Sequence, residues 1–224
     1  MATGPVLITG FEPYGGRGHN PAAEIARALD GSRVAQIPMV GRTLPVSHAG
    51  LHARLSGLVA ELTPRVVLSV GLWPGEPAIR IERFAVNLAD FEIPDNDGHR
   101  PTDQALSPGG SVALAATVPV RQIEAAMLAA GIPARLSNTA GTFLCNACLF
   151  AALQAAATAS PPPLCGFIHV PYLPVQVAEM LDRNRQESRL ELHQRADLAS
   201  MDLDTMIRAV RIAADIAARA AHAS

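Results

Sequence analysis

No stretch of this chain reaches the roughly 18 uncharged apolar residues of a membrane-spanning helix, so no membrane partner is expected. Charge of one sign is lacking too: 18 basic residues against 20 acidic ones leave a net −2. That balance offers no basic patch for nucleic acid and no acidic tail. A small neutral substrate or a peptide suits it better than a polyanion. The N-terminus lacks the basic flank of a signal peptide, and its apolar run is too short to be one. Cysteines are few and odd in number: Cys145, Cys148 and Cys165. Together these absences point to a reduced, cytoplasmic protein. No second CxxC accompanies Cys145–Cys148, and there is no HExxH or histidine cluster, so neither metal nor cofactor is expected. The glycine-rich phosphate-binding signatures are missing as well.

What is present is enough apolar sequence for a core. The chain has 224 residues, 49% of them apolar, and reads as one domain spanning 1–224. Pro161–Pro163 is a rigid loop rather than a boundary. Strands are expected over Pro5–Gly10, Val34–Val40, Val66–Gly71, Ile79–Leu88, Ala134–Ser137 and Phe167–Val170. Helices are expected over Ala22–Leu29, Ser47–Leu62, Val120–Ala130, Asn146–Ala157, Val175–Arg185 and Leu203–Ala221. Asn20 and Pro21 supply a cap and a first-turn proline for the first of these. Such alternation predicts an α/β fold: a three-layer α/β/α sandwich around a mostly parallel, twisted sheet. Gly10–Asn20 and Gly71–Pro108 show little periodicity, and long irregular segments of this kind tend to carry sites.

Two residues stand out chemically. Cys145 is placed just ahead of a helix, where free N–H groups and the positive end of the dipole favour a thiolate and an oxyanion. The bland reading is a small buried hydrophobe, which suits Cys148 and Cys165 better. His169 ends an apolar strand that runs into Pro171-Tyr172-Leu173-Pro174. In open α/β sheets, ligand sites lie at that edge. A thiol and an imidazole are what a thiol hydrolase needs. His19, His48, His52, His99, His193 and His222 fall in loops or on polar faces and are poorer candidates. A third group should orient the imidazole, and Glu82 and Asp95 are the best carboxylates. Asp95-Asn96-Asp97-Gly98 lacks the remaining ligands of a calcium loop and reads as a turn.

Five segments, in order, resemble the pyroglutamyl peptidase I (pyrrolidone-carboxylate peptidase) family of cysteine peptidases. They are Ile8-Thr9-Gly10-Phe11-Glu12-Pro13-Tyr14-Gly15-Gly16 with Asn20-Pro21; Glu82-Arg83-Phe84-Ala85-Val86-Asn87 with Ile93-Pro94-Asp95-Asn96-Asp97-Gly98; Gly141-Thr142-Phe143-Leu144-Cys145-Asn146; Ile168-His169-Val170-Pro171-Tyr172-Leu173-Pro174; and Ser200-Met201-Asp202-Leu203-Asp204-Thr205. The resemblance implies Cys145 as nucleophile, His169 as base and then acid, and Glu82 as the orienting carboxylate. It implies removal of an N-terminal pyroglutamyl residue from peptides through a thioacyl-enzyme. The matching pocket positions are Phe11, Tyr14, Ile93, Phe143 and Leu144, with backbone groups near Leu72 for the lactam's polar edge. The family is commonly dimeric or tetrameric, so a homodimer or homotetramer is expected.

The chain departs from the family pattern in places. Glu92 stands where an arginine is frequent, Leu72-Trp73-Pro74 replaces a more polar stretch, and Tyr14 and Val46 replace phenylalanine and threonine. Two other readings follow from the residues. One is a catalytically weak relative that binds pyroglutamyl peptides, because of Glu92. The other is a thiol-redox protein using Cys145 and Cys148.

Overall fold

The computed structural model describes residues 4–186 and 198–223. His193 lies outside them. Among the described residues, nine strands and six helices follow in the order β1 (Val6–Phe11), α1 (Pro21–Leu29), β2 (Arg33–Val34), β3 (Ile37–Leu44), α2 (Leu51–Leu62), β4 (Val66–Leu72), β5 (Ile79–Glu82), β6 (Phe84–Val86), β7 (Ala113–Ala115), α3 (Val120–Ala129), β8 (Ala134–Ser137), α4 (Leu144–Thr158), β9 (Leu164–Val170), α5 (Pro174–Gln186) and α6 (Leu203–Ala223). Seven strands form the central sheet in the order β2-β3-β1-β4-β9-β5-β8. Strands β3, β1, β4 and β9 are mutually parallel, while β5 runs antiparallel to β9 and parallel to β8. Strands β6 and β7 pair separately as a short antiparallel ribbon. The architecture is the expected α/β fold, with helices on both faces.

Side chains alternate across a strand, and that alternation divides the core in two. Val6, Ile8, Val66, Leu68, Val70, Ile168 and Val170 pack with α1 and α6 on one face. Leu7, Val67, Cys165 and Phe167 pack with α2 and α4 on the other. The same period carries Thr9, Ser69, Gly71 and His169 to the α4 face. No helix among the described residues is long and apolar enough to cross a membrane.

Several expected boundaries shift. Val34–Val40 is not one strand but a hairpin, with Ala35 and Gln36 turning at φ 46° and 66°. Neither residue is a usual turn former, so the sequence hid the turn. Ile79–Leu88 breaks at Arg83 into β5 and β6. Helix α4 begins at Leu144 rather than Asn146, so Cys145 lies inside its first turn instead of ahead of it.

Helix α1 seats directly on glycines. A Cβ at Gly10 would lie 2.0 Å from the carbonyl oxygen of Ala22, and one at Gly41 equally close to that of Ala26. Gly10→Ala should therefore destabilise the protein by about 1–3 kcal/mol, read as a lower urea midpoint with unchanged slope. An unchanged midpoint would mean that α1 yields freely.

Candidate active site

The C-terminal ends of β1, β4 and β9 meet the N-terminus of α4, where the direction of strand succession reverses. The helix end comes unusually close to the sheet. A Cβ at Gly71 would sit 2.7 Å from Cys145 Sγ and 2.9 Å from the Phe167 ring. Glycine is thus the residue that lets the thiol lie on β4. Asn146, the next residue, is fully buried. Its amide exchanges hydrogen bonds with Val86 N at 2.8 Å and with the carbonyls of Val86 and Leu88 at 2.9 Å. That grip fixes the first turn of α4 against β6.

The two helix starts differ in a telling way. Asn20 caps α1 by accepting from Ala22 N. Phe143 precedes α4 and offers no side-chain acceptor. The N–H groups around Cys145 are left as donors without intrahelical partners. Such donors suit a carbonyl oxygen that becomes negative during attack.

His169 is 1% exposed, and its Nδ1 lies 2.8 Å from Glu82 Oε1. With Nδ1 donating to the carboxylate, Nε2 is left for the cavity that His169 lines together with Cys145. Glu82 is fully buried, and Arg80 Nε donates to the same Oε1 at 3.1 Å. Asp95, the other carboxylate that the sequence allowed, is committed elsewhere. It accepts from His48 N and His99 N, both at 2.8 Å, and from Asp97 N at 3.1 Å. It ties loops together and makes none of its hydrogen bonds with His169.

The cavity holding Cys145 and His169 has a volume near 390 Å³, and its walls include Tyr14, Leu72, Trp73, Ile93 and Phe143. A narrow apolar hollow adjoins it, lined by Phe11, Tyr14, Val46, Leu72, Phe143 and Leu144, again with Cys145. Six residues expected at the pocket thus assemble around the thiol: Phe11, Tyr14, Leu72 and Leu144 beside Phe143, with Ile93 on the outer wall. Glu92 also faces the larger cavity, from an exposed position. Sequence reasoning passed over Arg17, Trp73 and Asp90 as wall residues, and Phe91, whose ring backs Phe143 at 4.5 Å. A tryptophan following a strand within an irregular segment was the available signal for the second of these.

Burial decides the electrostatics. It pushes the Cys145 thiol up from its ordinary value, with smaller contributions from Cys148 and Glu82. It pulls His169 down, although Glu82 works in the opposite direction. Both directions favour a neutral thiol and a neutral imidazole over the ready-made thiolate that the helix terminus suggested, although Cys145 is only half-buried and opens on the cavity. Burial also lifts Tyr14 to about 12, Cys148 to about 11 and Cys165 to about 12. A redox dithiol needs a depressed attacking thiol. Three free cysteines, all raised, leave that reading without its chemistry.

A family model described as pyroglutamyl peptidase matches residues 5–220. The chain belongs to the pyroglutamyl peptidase family. It is 38% identical to the pyrrolidone-carboxylate peptidase of Pyrococcus furiosus, over 95% of this chain and 97% of that one. With the Pseudomonas fluorescens pyrrolidone-carboxylate peptidase it shares 45% identity, over 77% of this chain and 80% of that protein. The solved pyrrolidone carboxyl peptidase of Thermococcus litoralis superposes with a TM-score of 0.88 at 37% identity, covering 96% of this chain and 94% of that one.

Because burial raises the thiol, alkylation of Cys145 by iodoacetamide should keep accelerating with pH beyond the ordinary value of 9.0. A plateau reached below neutrality would reveal a resting thiolate and contradict this description.

Proposed function

We propose that this peptidase cleaves the amide bond following an N-terminal pyroglutamyl residue, and that residues 1–224 act as one peptidase domain. The observation that carries the reading is the 2.8 Å contact between His169 and Glu82 on the cavity that also holds Cys145. The neutral pair dictates the order of events. Nε2 of His169 takes the proton from Sγ as sulfur attacks the pyroglutamyl carbonyl. The carbonyl oxygen gains the negative charge and is held by N–H groups at the start of α4. Glu82 stabilises the imidazolium that forms. As the C–N bond breaks, that imidazolium hands its proton to the departing amine. A water molecule, deprotonated by His169, then attacks the thioester, and pyroglutamate leaves with the thiol restored.

The apolar lining of the narrow hollow suits the faces of a flat lactam ring in character, and the larger adjoining cavity supplies the room. Phe11, Tyr14, Leu72, Phe143 and Leu144 enclose its apolar faces, with backbone groups near Leu72 for its N–H and C=O. N-terminal proline lacks the lactam carbonyl, so its binding would strand a buried donor. The weak-binding alternative rests on Glu92; its exposed position on the outer wall supports contact with the leaving peptide rather than with the ring. Assembly into two or four copies and a cytoplasmic setting belong to the same family reading, and sedimentation analysis addresses the first.

Release of a fluorophore from a pyroglutamyl amide tests the reaction. Cys145→Ala should reduce turnover by about 10⁴-fold or more, and the prolyl analogue should react at least about 10³-fold more slowly. Full turnover by Cys145→Ala would overturn the reading. Tight product binding with negligible turnover, restored by Glu92→Arg, would favour the weak relative instead.

A further inference from the structure

Strand β5 carries a cation into the middle of the molecule. Ile79 and Ile81 point into the core on the α3 side of the sheet, so the alternation sends Arg80 and Glu82 to the face of the site. In the antiparallel pairing with β9, Arg80 stands opposite His169 and Glu82 opposite Phe167. Arg80 is buried, and nearly every face of its guanidinium is used. Nε donates to Glu82 Oε1, the oxygen that also receives His169 Nδ1. One terminal nitrogen donates to Ser137 Oγ at 2.7 Å and to the Thr139 carbonyl at 2.8 Å. The plane lies over the Trp73 ring at 3.6 Å, and that ring meets His169 edge-on at 4.9 Å. The other terminal nitrogen approaches Glu76 at 3.6 Å, and Arg135 grips Glu76 through two hydrogen bonds of 3.0 and 2.7 Å. Charges thus alternate outward from the imidazole: Glu82, Arg80, Glu76, Arg135.

Two features make this more than a structural ion pair. Glu82 Oε2 has no hydrogen-bond partner among the described residues, so Arg80 and His169 together hold the carboxylate through a single oxygen. Thr139, gripped by Arg80, begins the segment that leads to Cys145. Thr139 Oγ1 accepts from Gly141 N at 3.1 Å, and Gly141 lies against Trp73. One guanidinium therefore touches the support of the imidazole and the approach to the thiol.

We propose that Arg80 is a positioning residue for the Cys145–His169 chemistry, locking the Glu82 carboxylate onto His169 Nδ1 and the 139–142 segment beneath the nucleophile. The proposal rests on the roles given to Cys145 and His169 above. The planar fork matters: a lysine keeps the charge but cannot reach Glu82, Ser137 and Thr139 together. Its effect acts on chemistry rather than binding, because Arg80 does not line the lactam hollow.

The test combines kinetics with the far-downfield proton NMR signal of the His169 Nδ1–H, assigned by its loss in Glu82→Gln. In wild type the signal should be sharp. In Arg80→Met it should broaden or vanish, with kcat down about tenfold or more and KM within about twofold. Arg80→Lys should recover only part of either. A folded Arg80→Met with the wild-type signal and wild-type kcat overturns the proposal, as does an effect confined to KM or to thermal stability. If Arg80→Met does not fold, Arg80→Lys decides: wild-type signal and kcat overturn the proposal, and a weakened signal with lowered kcat supports it. Wild type without pyroglutamyl hydrolysis would sink the proposed reaction, whereas the NMR comparison would still report on Arg80.

Discussion

A carboxylate occupies a place where a sheet ordinarily buries an aliphatic side chain, and the site is organised around it. Glu82 is fully enclosed between β5 and the helical layer bearing α4. An isolated charge there would cost several kcal/mol. Two donors offset that cost, one from His169 and one from Arg80. The antiparallel run of β5 against β9 is what makes this possible. It sets Arg80 directly opposite His169 and leaves Glu82 on the diagonal, within reach of both. The imidazole is thereby held with Nδ1 toward the carboxylate and Nε2 toward the cavity.

Cys145 depends on a different constraint, close approach. Gly71 has no side chain to keep α4 away, and Asn146 stitches the first helical turn to β6. The helix start lacks a side-chain cap, so its N–H groups face the site rather than a neighbouring residue. Burial pushes the Cys145 thiol up and His169 down, both toward the neutral form. Proton transfer and attack on the carbonyl become linked events in the proposed mechanism.

Much of this was legible in the sequence, for identifiable reasons. Strand and helix segments alternate along the chain, so the fold class and the position of His169 at the C-terminal end of a strand could be read directly. Motifs around Glu82, Cys145 and His169 named three groups, of which His169 and Glu82 meet at 2.8 Å and Cys145 shares a cavity with His169. What escaped reading depends on three-dimensional context. The residues alone left Glu82 and Asp95 open and the family resemblance pointed to Glu82; that three backbone donors gather on Asp95 was visible only in the structure. The turn at Ala35-Gln36 bears no glycine or asparagine. The start of α4 was placed two residues late because Phe143 is not a capping residue. A helix terminus is visible in sequence and burial is not, so the upward push on the thiol went unread. Arg80 carried no signal in the sequence; only its buried partners single it out.

The central claim is that Cys145 forms the covalent bond in a reaction supported by His169 and Glu82. Acid quenching within the first turnovers of a pyroglutamyl ester, followed by peptide mass analysis, tests it most directly. The account predicts one pyroglutamyl group on the peptide containing Cys145, appearing at the rate of leaving-group release and decaying with turnover. Turnover without any adduct on that peptide, or an adduct on Cys148 or Cys165 instead, would contradict it.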